Sequence, residues 1–302
     1  MDYLDFNALW MILKDRRIDV KRIEVLLLLV LAVAVGLFGC YYFWIHEQID
    51  KMGPVYTVEE EILEISVTDP KEALMRGIKA IDDRDGDVTA SILVESISGI
   101  NDRQETTVTY AAFDRAGNVS KLQRQIRYVD YRAPRFEAYT TLCFPGGKQF
   151  DFMDYVGATD VLEGDIRRRV HATLVSDTQN ITMEGNHKVK LQVTNSLGDT
   201  SVVTIPVLVY SPEWYSASVE LKENLIYLEK GAEFDPDGYL KTFVFRGTPI
   251  DISTEVPSDI TVDIENDVKT DVPGVYTVTY ILSKSLNSAN HAGIAKLIVI
   301  VE

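Results

Sequence analysis

Residues 25–45 read Val-Leu-Leu-Leu-Leu-Val-Leu-Ala-Val-Ala-Val-Gly-Leu-Phe-Gly-Cys-Tyr-Tyr-Phe-Trp-Ile, 21 positions without a charge, and this run constrains the chain more than any other feature. A helix rises about 1.5 Å per residue, so a run of this length matches the roughly 30 Å hydrocarbon layer of a bilayer. Tyr41, Tyr42, Phe43 and Trp44 cluster at its far end, where amphipathic rings settle among lipid headgroups. Lys14, Arg16, Arg17, Lys21 and Arg22 precede the run, whereas His46-Glu47-Gln48-Ile49-Asp50 follows it. The excess of bases on one side places the N-terminus in the cytoplasm and the chain from about residue 46 outside.

Two other readings of the run are weaker. Leu37-Phe38-Gly39-Cys40 resembles a lipoprotein processing box, but Phe38 is bulky and residues 41–45 stay apolar where a polar tether belongs. A cleaved signal peptide needs a small-x-small site after a short apolar core, and none follows. The run is therefore read as an uncleaved anchor. Residues 1–24 are its cytoplasmic stub, although the spacing of Leu4, Leu9, Trp10, Ile12 and Leu13 also suits a short amphipathic helix.

Charge and cysteine content narrow the function classes. The formal net charge is -16 over 302 residues, and all of the excess lies in residues 46–302, because the stub is balanced and the span uncharged. Such a field repels phosphate backbones, which argues against nucleic-acid partners, and attracts divalent cations. Cys40 and Cys143 cannot meet if the first sits in a membrane, so no intrachain disulfide is expected and the domains must hold by their cores. That favours a bacterial export product. Asn118-Val119-Ser120 and Asn180-Ile181-Thr182 would be glycosylation acceptors only in a eukaryote.

Beyond Lys51-Met52-Gly53-Pro54 the pattern changes to an alternation of apolar and polar residues. Residues 62–67, 106–110, 122–129, 188–193, 201–209, 275–281 and 296–301 carry the two-residue period of half-buried strands. Turn formers separate them: Gly86, Gly99, Ala116-Gly117-Asn118, Pro145-Gly146-Gly147, Leu197-Gly198-Asp199 and Pro273-Gly274. Many short strands with frequent turns predict β-sandwiches. Asp83-Arg84-Asp85-Gly86-Asp87-Val88 recurs in degenerate form as Val161-Leu162-Glu163-Gly164-Asp165-Ile166, each followed by a late strand and a turn. A third unit shares Pro273-Gly274-Val275-Tyr276-Thr277-Val278-Thr279-Tyr280, then an irregular stretch and a terminal strand. The expected organisation is a stub at 1–24, a transmembrane helix at 25–45, a linker at 46–54, sandwiches at 55–132 and 133–211, and a divergent sandwich at 212–302.

Ala80-Ile81-Asp82-Asp83-Arg84-Asp85-Gly86-Asp87-Val88-Thr89, with Tyr110-Ala111-Ala112-Phe113-Asp114-Arg115-Ala116-Gly117-Asn118, resembles the bacterial immunoglobulin-like repeats of Gram-positive surface proteins, relatives of the hyalin-type repeat. The resemblance covers about half of the chain. It implies an all-β fold of tandem immunoglobulin-like sandwiches behind one N-terminal transmembrane helix, acting as an extracellular, non-catalytic spacer, adhesion or binding module. It carries no particular ligand. A subunit of an envelope assembly and a polysaccharide-binding or -processing protein are the alternatives. The partners expected are the membrane and an outside protein or glycan.

The densest chemistry is the aspartate cluster Asp82, Asp83, Asp85 and Asp87. Calcium needs six to eight oxygens, which Asp83, Asp85 and Asp87 around a glycine turn can begin to supply. The competing reading is a turn whose carboxylates accept backbone N–H bonds while Gly86 takes a positive φ. Glycine comes too early for an EF-hand loop, and Val94 stands where that loop needs glutamate. Asp114 and Asn118 read as a hairpin turn. His46, His171, His187 and His291 are scattered without ligand spacing, and no nucleophile elbow or phosphate loop appears. Cys143 reads as a packing residue. Trp214 and Tyr215 at the second boundary, and Phe234, Tyr239, Phe243 and Phe245 at the start of the third unit, are aromatics that can stack on sugars or anchor a protein partner, with sandwich core or interdomain packing as the competing reading; Trp214 and Tyr215 are the candidate partner surface. No wall-sorting signal is expected, since the chain stops at Glu302 straight after a predicted strand.

Overall fold

A computed structural model describes residues 6–48, 50–101, 103–175, 181–286 and 289–302. Residues 1–5 of the stub and Asn180 of the second acceptor sequence lie outside the described residues, as do the side chains of Leu9, Trp10, Ile12 and Leu13. One helix, α1 (Phe6–Gln48), joins stub and span without a break at residue 24. Within it Lys21–Glu47 is long and apolar enough to cross a membrane, and none of its apolar stretch is buried against protein. A core helix of a soluble domain would be covered by its neighbours. Here Leu29 and Phe38 are 60% and 68% exposed.

The chain divides into two compact units. Residues 1–59, 77–95 and 109–122 form one, and residues 60–76, 96–108 and 123–302 the other. Hydrogen-bonded pairing falls into three stretches of sequence. The first holds β1 (Val55–Val58), β2 (Ile62–Ile65), β3 (Ile78–Asp82), β4 (Gly86–Asp87), β5 (Leu93–Ile97), β6 (Glu105–Phe113) and β7 (Val119–Tyr128). The second holds β8 (Arg135–Ala138), β9 (Cys143–Pro145), β10 (Val156–Asp160), β11 (Gly164–Asp165), β12 (His171–Leu174), β13 (Gly185–Thr194) and β14 (Thr200–Tyr210). The third holds β15 (Ser218–Leu221), β16 (Leu225–Leu228), β17 (Leu240–Phe245), β18 (Thr248–Asp251), β19 (Ile260–Asn266), β20 (Gly274–Leu286) and β21 (Ala289–Val301).

All three stretches share one topology. The sheets run β1-β3-β4 with β2-β7-β6-β5, β8-β10-β11 with β9-β14-β13-β12, and β15-β17-β18 with β16-β21-β20-β19. In each, the second strand pairs in parallel with the last, as in Ile62↔Gln125, Leu208↔Cys143 and Leu225↔Ile298. The ladders β1-β3-β4, β8-β10-β11, β14-β13-β12, β15-β17-β18 and β21-β20-β19 are antiparallel, so the protein is an all-β chain of immunoglobulin-like repeats behind an apolar helix. The third stretch is thus as regular as the others. Its expected irregular stretch is instead one long hairpin, paired from Gly274↔Val301 to Leu286↔Ala289.

Side-chain alternation explains why these segments become strands. In β13, His187, Val189, Leu191 and Val193 are buried while Lys188, Lys190 and Gln192 face solvent. Each fully buried aliphatic contributes about 1.5–3 kcal/mol. Phe243, Val278, Tyr280, Leu282, Leu297 and Val299 build the third core, and Phe136, Leu142, Leu191, Ile205 and Val207 build the second. β21 belongs to both. Leu297, Val299 and Val301 enter the third core, whereas Ile298, fully buried, enters the second, with Leu225 and Ile300 packed beside it. The second and third repeats therefore share an apolar seam.

Candidate functional site

The acidic turn after β3 is shaped first by backbone needs. Asp82 Oδ1 accepts from the N–H groups of Arg84 (3.0 Å) and Asp85 (2.8 Å). Gly86 then adopts φ +74°, a left-handed conformation that other residues reach only with strain. Asp85 Oδ2 accepts from the Arg115 N–H at 2.7 Å, tying this turn to the one after β6. Asp87 Oδ1 accepts from the Thr89 N–H at 2.9 Å, and hydrogen bonds from Thr89 hold the Asp87 carboxyl below its ordinary range. Asp83 is exposed.

The carboxylates that come together are therefore Asp83, Asp82 and a residue the sequence pattern did not single out, Asp50. Each offers an oxygen, and the three atoms lie within 4.8 Å of one another. The Asp85 carboxylate is directed to Arg115 and that of Asp87 to Thr89. Asp50 reaches the turn because the linker is docked. Asn118 Nδ2 donates to the Met52 carbonyl (3.2 Å), Pro54 is buried, and a Cβ on Gly53 would meet the Val119 carbonyl carbon at 3.2 Å. Asp114, as expected, closes its turn by accepting from the Asn118 N–H (2.8 Å) and Nδ2 (2.7 Å).

The second repeat rebuilds the same corner with different chemistry. Asp160 Oδ1 accepts from the N–H groups of Leu162 (2.9 Å) and Glu163 (3.0 Å), and Gly164 sits at φ +73°. Glu163 Oε1 accepts from the Ser196 N–H at 2.6 Å, as Asp85 does from Arg115. Asn195 occupies the place of Asp114, and its Nδ2 donates to Asp160 Oδ2 (3.0 Å) and to the Tyr131 hydroxyl (2.9 Å). That hydroxyl donates in turn to Asp199 Oδ2 at 2.7 Å. Burial pushes the Tyr131 phenol well above its ordinary pKa, so it stays a neutral donor.

A crevice of about 710 Å³ opens beside this corner, with Gln104, Tyr131, Arg132, Arg135, Tyr227 and Glu302 among its walls. Within it Arg135 pairs with Glu302 and lies 4.6 Å from the Tyr227 ring centroid. Burial pushes the Tyr227 phenol up to about 12, which removes it from acid–base work at neutral pH. The Cys143 thiol is buried, pushed up to about 11 by that burial, and receives a weak bond from Thr141 Oγ1 at 3.6 Å. A thiol held so far from ionisation is a packing group.

The candidate partner surface splits. Trp214 is 76% exposed, but Tyr215 packs edge-on against Tyr210 with centroids 5.5 Å apart. Phe243 is fully buried, and Phe234, Tyr239 and Phe245 pack against the same core. The histidines stay apart: His187 Nε2 lies 2.6 Å from the Met183 carbonyl, His291 Nδ1 lies 2.9 Å from Ser216 Oγ, His46 stacks on Tyr42, and His171 is exposed.

No family model matches the chain, and no curated protein matches it. Solved structures do align over most of its length. The protocadherin gammaB7 EC3-6 cis-dimer structure aligns at 11% identity and TM-score 0.19, covering 82% of this chain and 73% of that one. Human CDH23 EC21-23 aligns at 12% identity and TM-score 0.21, covering 83% of this chain and 100% of that one. The CBM51-2 and INT domains of Clostridium perfringens ZmpB, in complex with GlcNAc, align at 14% identity and TM-score 0.22, covering 81% of this chain and 41% of that one. At such scores the fold rests on the strand topology of this chain itself.

Proposed function

We propose that this is a membrane-anchored protein of the bacterial cell envelope, its N-terminus cytoplasmic and its immunoglobulin-like repeats outside, acting as a non-catalytic spacer, adhesion or binding module. The domains are 55–132, 133–211 and 212–302, of the hyalin-related kind found on Gram-positive surfaces. The observation that carries the reading is an uncovered apolar helix, Lys21–Glu47, followed at once by three sandwiches of one topology. Repeats of this kind build length and present surfaces. In the crevice the Tyr131 hydroxyl is engaged by Asp199 and Arg135 by Glu302, contacts that hold the joint together.

The test is protease treatment of intact cells after wall removal. Cleavage down to a short membrane stump supports the reading, and a chain left whole until lysis overturns it. Trp214, projecting 76% exposed from the joint before the third repeat, favours contact with a protein or glycan there. Binding of the full chain to a glycan array, lost in Trp214→Ala, supports a sugar ligand; complete silence removes it.

A further inference from the structure

We propose that Asp50, Asp82 and Asp83 form a divalent-cation site, of the calcium type, where the chain leaves the helix and enters the first repeat. Three carboxylate oxygens within 4.8 Å repel one another unless positive charge lies among them. Asp82 adds an independent sign. The residue is only 3% exposed, and while its Oδ1 accepts two backbone N–H bonds, its Oδ2 is buried with no hydrogen-bond partner. A buried carboxylate oxygen left without a donor is costly, so a native chain keeps one where a ligand completes it.

The second repeat shows what a protein-only solution looks like. There the matching oxygen, Asp160 Oδ2, receives the Asn195 amide at 3.0 Å. The first repeat has Asp114 in that place, an acceptor when ionised, already turned toward Asn118. The exchange of amide for carboxylate removes the donor and adds a negative charge near the same corner. The linker contributes in both repeats, through the Tyr131 hydroxyl in the second and through Asp50 in the first.

Charge and donor type select the ion. Arg84 Nε lies 3.8 Å from Asp50 Oδ2, and its Nη2 donates to the Glu47 carbonyl at 3.3 Å. One guanidinium against three carboxylates leaves the charge of a single divalent cation to be met. The group offers oxygen alone, with no imidazole or thiolate, which suits calcium over zinc or copper. The protein supplies three of the six to eight oxygens calcium takes, and water fills the others. The ion would tie Asp50, two residues beyond α1, to the turn after β3, stiffening the exit from the membrane. Access to millimolar calcium rests on the extracellular reading above; the binding itself does not.

The experiment is calorimetric titration of calcium chloride into the full chain in detergent micelles. The expected dissociation constant is about 10⁻⁴–10⁻³ M, the range of extracellular modules. Asp50→Asn, which keeps the oxygen that accepts from the Met52 N–H, weakens binding about tenfold or more, whereas Asp87→Asn leaves it within about twofold. Asp114→Asn recreates the Asp160–Asn195 bond and abolishes calcium binding with the circular dichroism spectrum unchanged. Asp82→Asn loosens the turn as well, so Asp50 and Asp114 are the deciding positions. Absence of binding up to about 10 mM calcium, or wild-type affinity in either Asp50→Asn or Asp114→Asn, overturns the site. Protease accessibility of intact cells is read separately, so a wrong orientation in the membrane and a missing ion give different results.

Discussion

Replacing Ile298 by alanine tests whether the second and third repeats are one folding unit. Ile298 belongs by sequence to the last strand of the third repeat, yet it is fully buried in the core built from Phe136, Leu142, Leu191 and Ile205 of the second. Truncation removes three carbons at about 0.8–1 kcal/mol each and leaves a cavity that a rigid two-sheet seam cannot close, a loss of about 3 kcal/mol. That is about a hundredfold in an unfolding equilibrium, since 1.4 kcal/mol is tenfold. Native-state hydrogen exchange of the full chain in detergent, read by mass spectrometry, resolves the two repeats. Slowly exchanging amides of β13–β14 and of β20–β21 should lose protection together and by similar factors. Loss confined to residues 218–301, with residues 135–210 unchanged, would show that the seam carries no coupling and would refute the shared-core argument.

Three other outcomes follow from single groups. Tyr131→Phe deprives Asp199 of a donor and Asn195 of an acceptor inside a buried network, and should cost about 1–3 kcal/mol in urea unfolding. Glu105 is held below its ordinary value of 4.5 chiefly by the Arg127 guanidinium, so its contribution is full above that pH and is lost as pH falls through the lower folded value. Glu105→Gln should therefore be less stable at pH 7 and lose less on acidification below about 4.5 than the parent, read as thermal midpoints. Arg246 and Gly247 form the two-residue turn between β17 and β18 with φ of 50° and 78°, a pairing suited to Asn-Gly. Arg246→Asn relieves the left-handed strain and should raise stability by about 0.5–1 kcal/mol, less whatever the Arg246 contact with the Phe245 ring contributes.

The long strands β6, β7, β13, β14, β20 and β21, nine to thirteen residues each, are legible in the sequence because a stretch of each alternates. Strands of two or three residues, such as β4, β9 and β11, carry no period to read. The third repeat looks divergent because its kinship lies in strand pairing and only faintly in its residues. Leu297-Ile298-Val299-Ile300-Val301 reads as half-buried by alternation with Lys296, although a continuous apolar run is the mark of a strand covered on both faces. Asp82, Asp83, Asp85 and Asp87 are visible as a cluster, but the division of labour among them is not. Which carboxylate accepts backbone N–H groups and which meets Asp50 depends on a linker that has no periodicity and docks through Asn118, far along the chain.

One topology is used three times, and the residue after the sixth strand of the first two repeats decides how the corner is held. With Asp114 there, the neighbouring Asp82 keeps a bare oxygen; with Asn195, Asp160 is completed from within the protein. In the third repeat the residue after the sixth strand, Asn287, lies outside the described residues. Its third and fourth strands close in the tight Arg246-Gly247 turn, and β20 runs on to Leu286. Its attachment to the preceding repeat passes to the outer face of β16 and β21, through Leu225, Ile298 and Ile300. An ion-dependent corner responds to the medium, whereas an apolar seam and an amide bridge do not. The effect of calcium should therefore be confined to the first repeat, and the unfolding of residues 135–301 should be the same in calcium and in chelator.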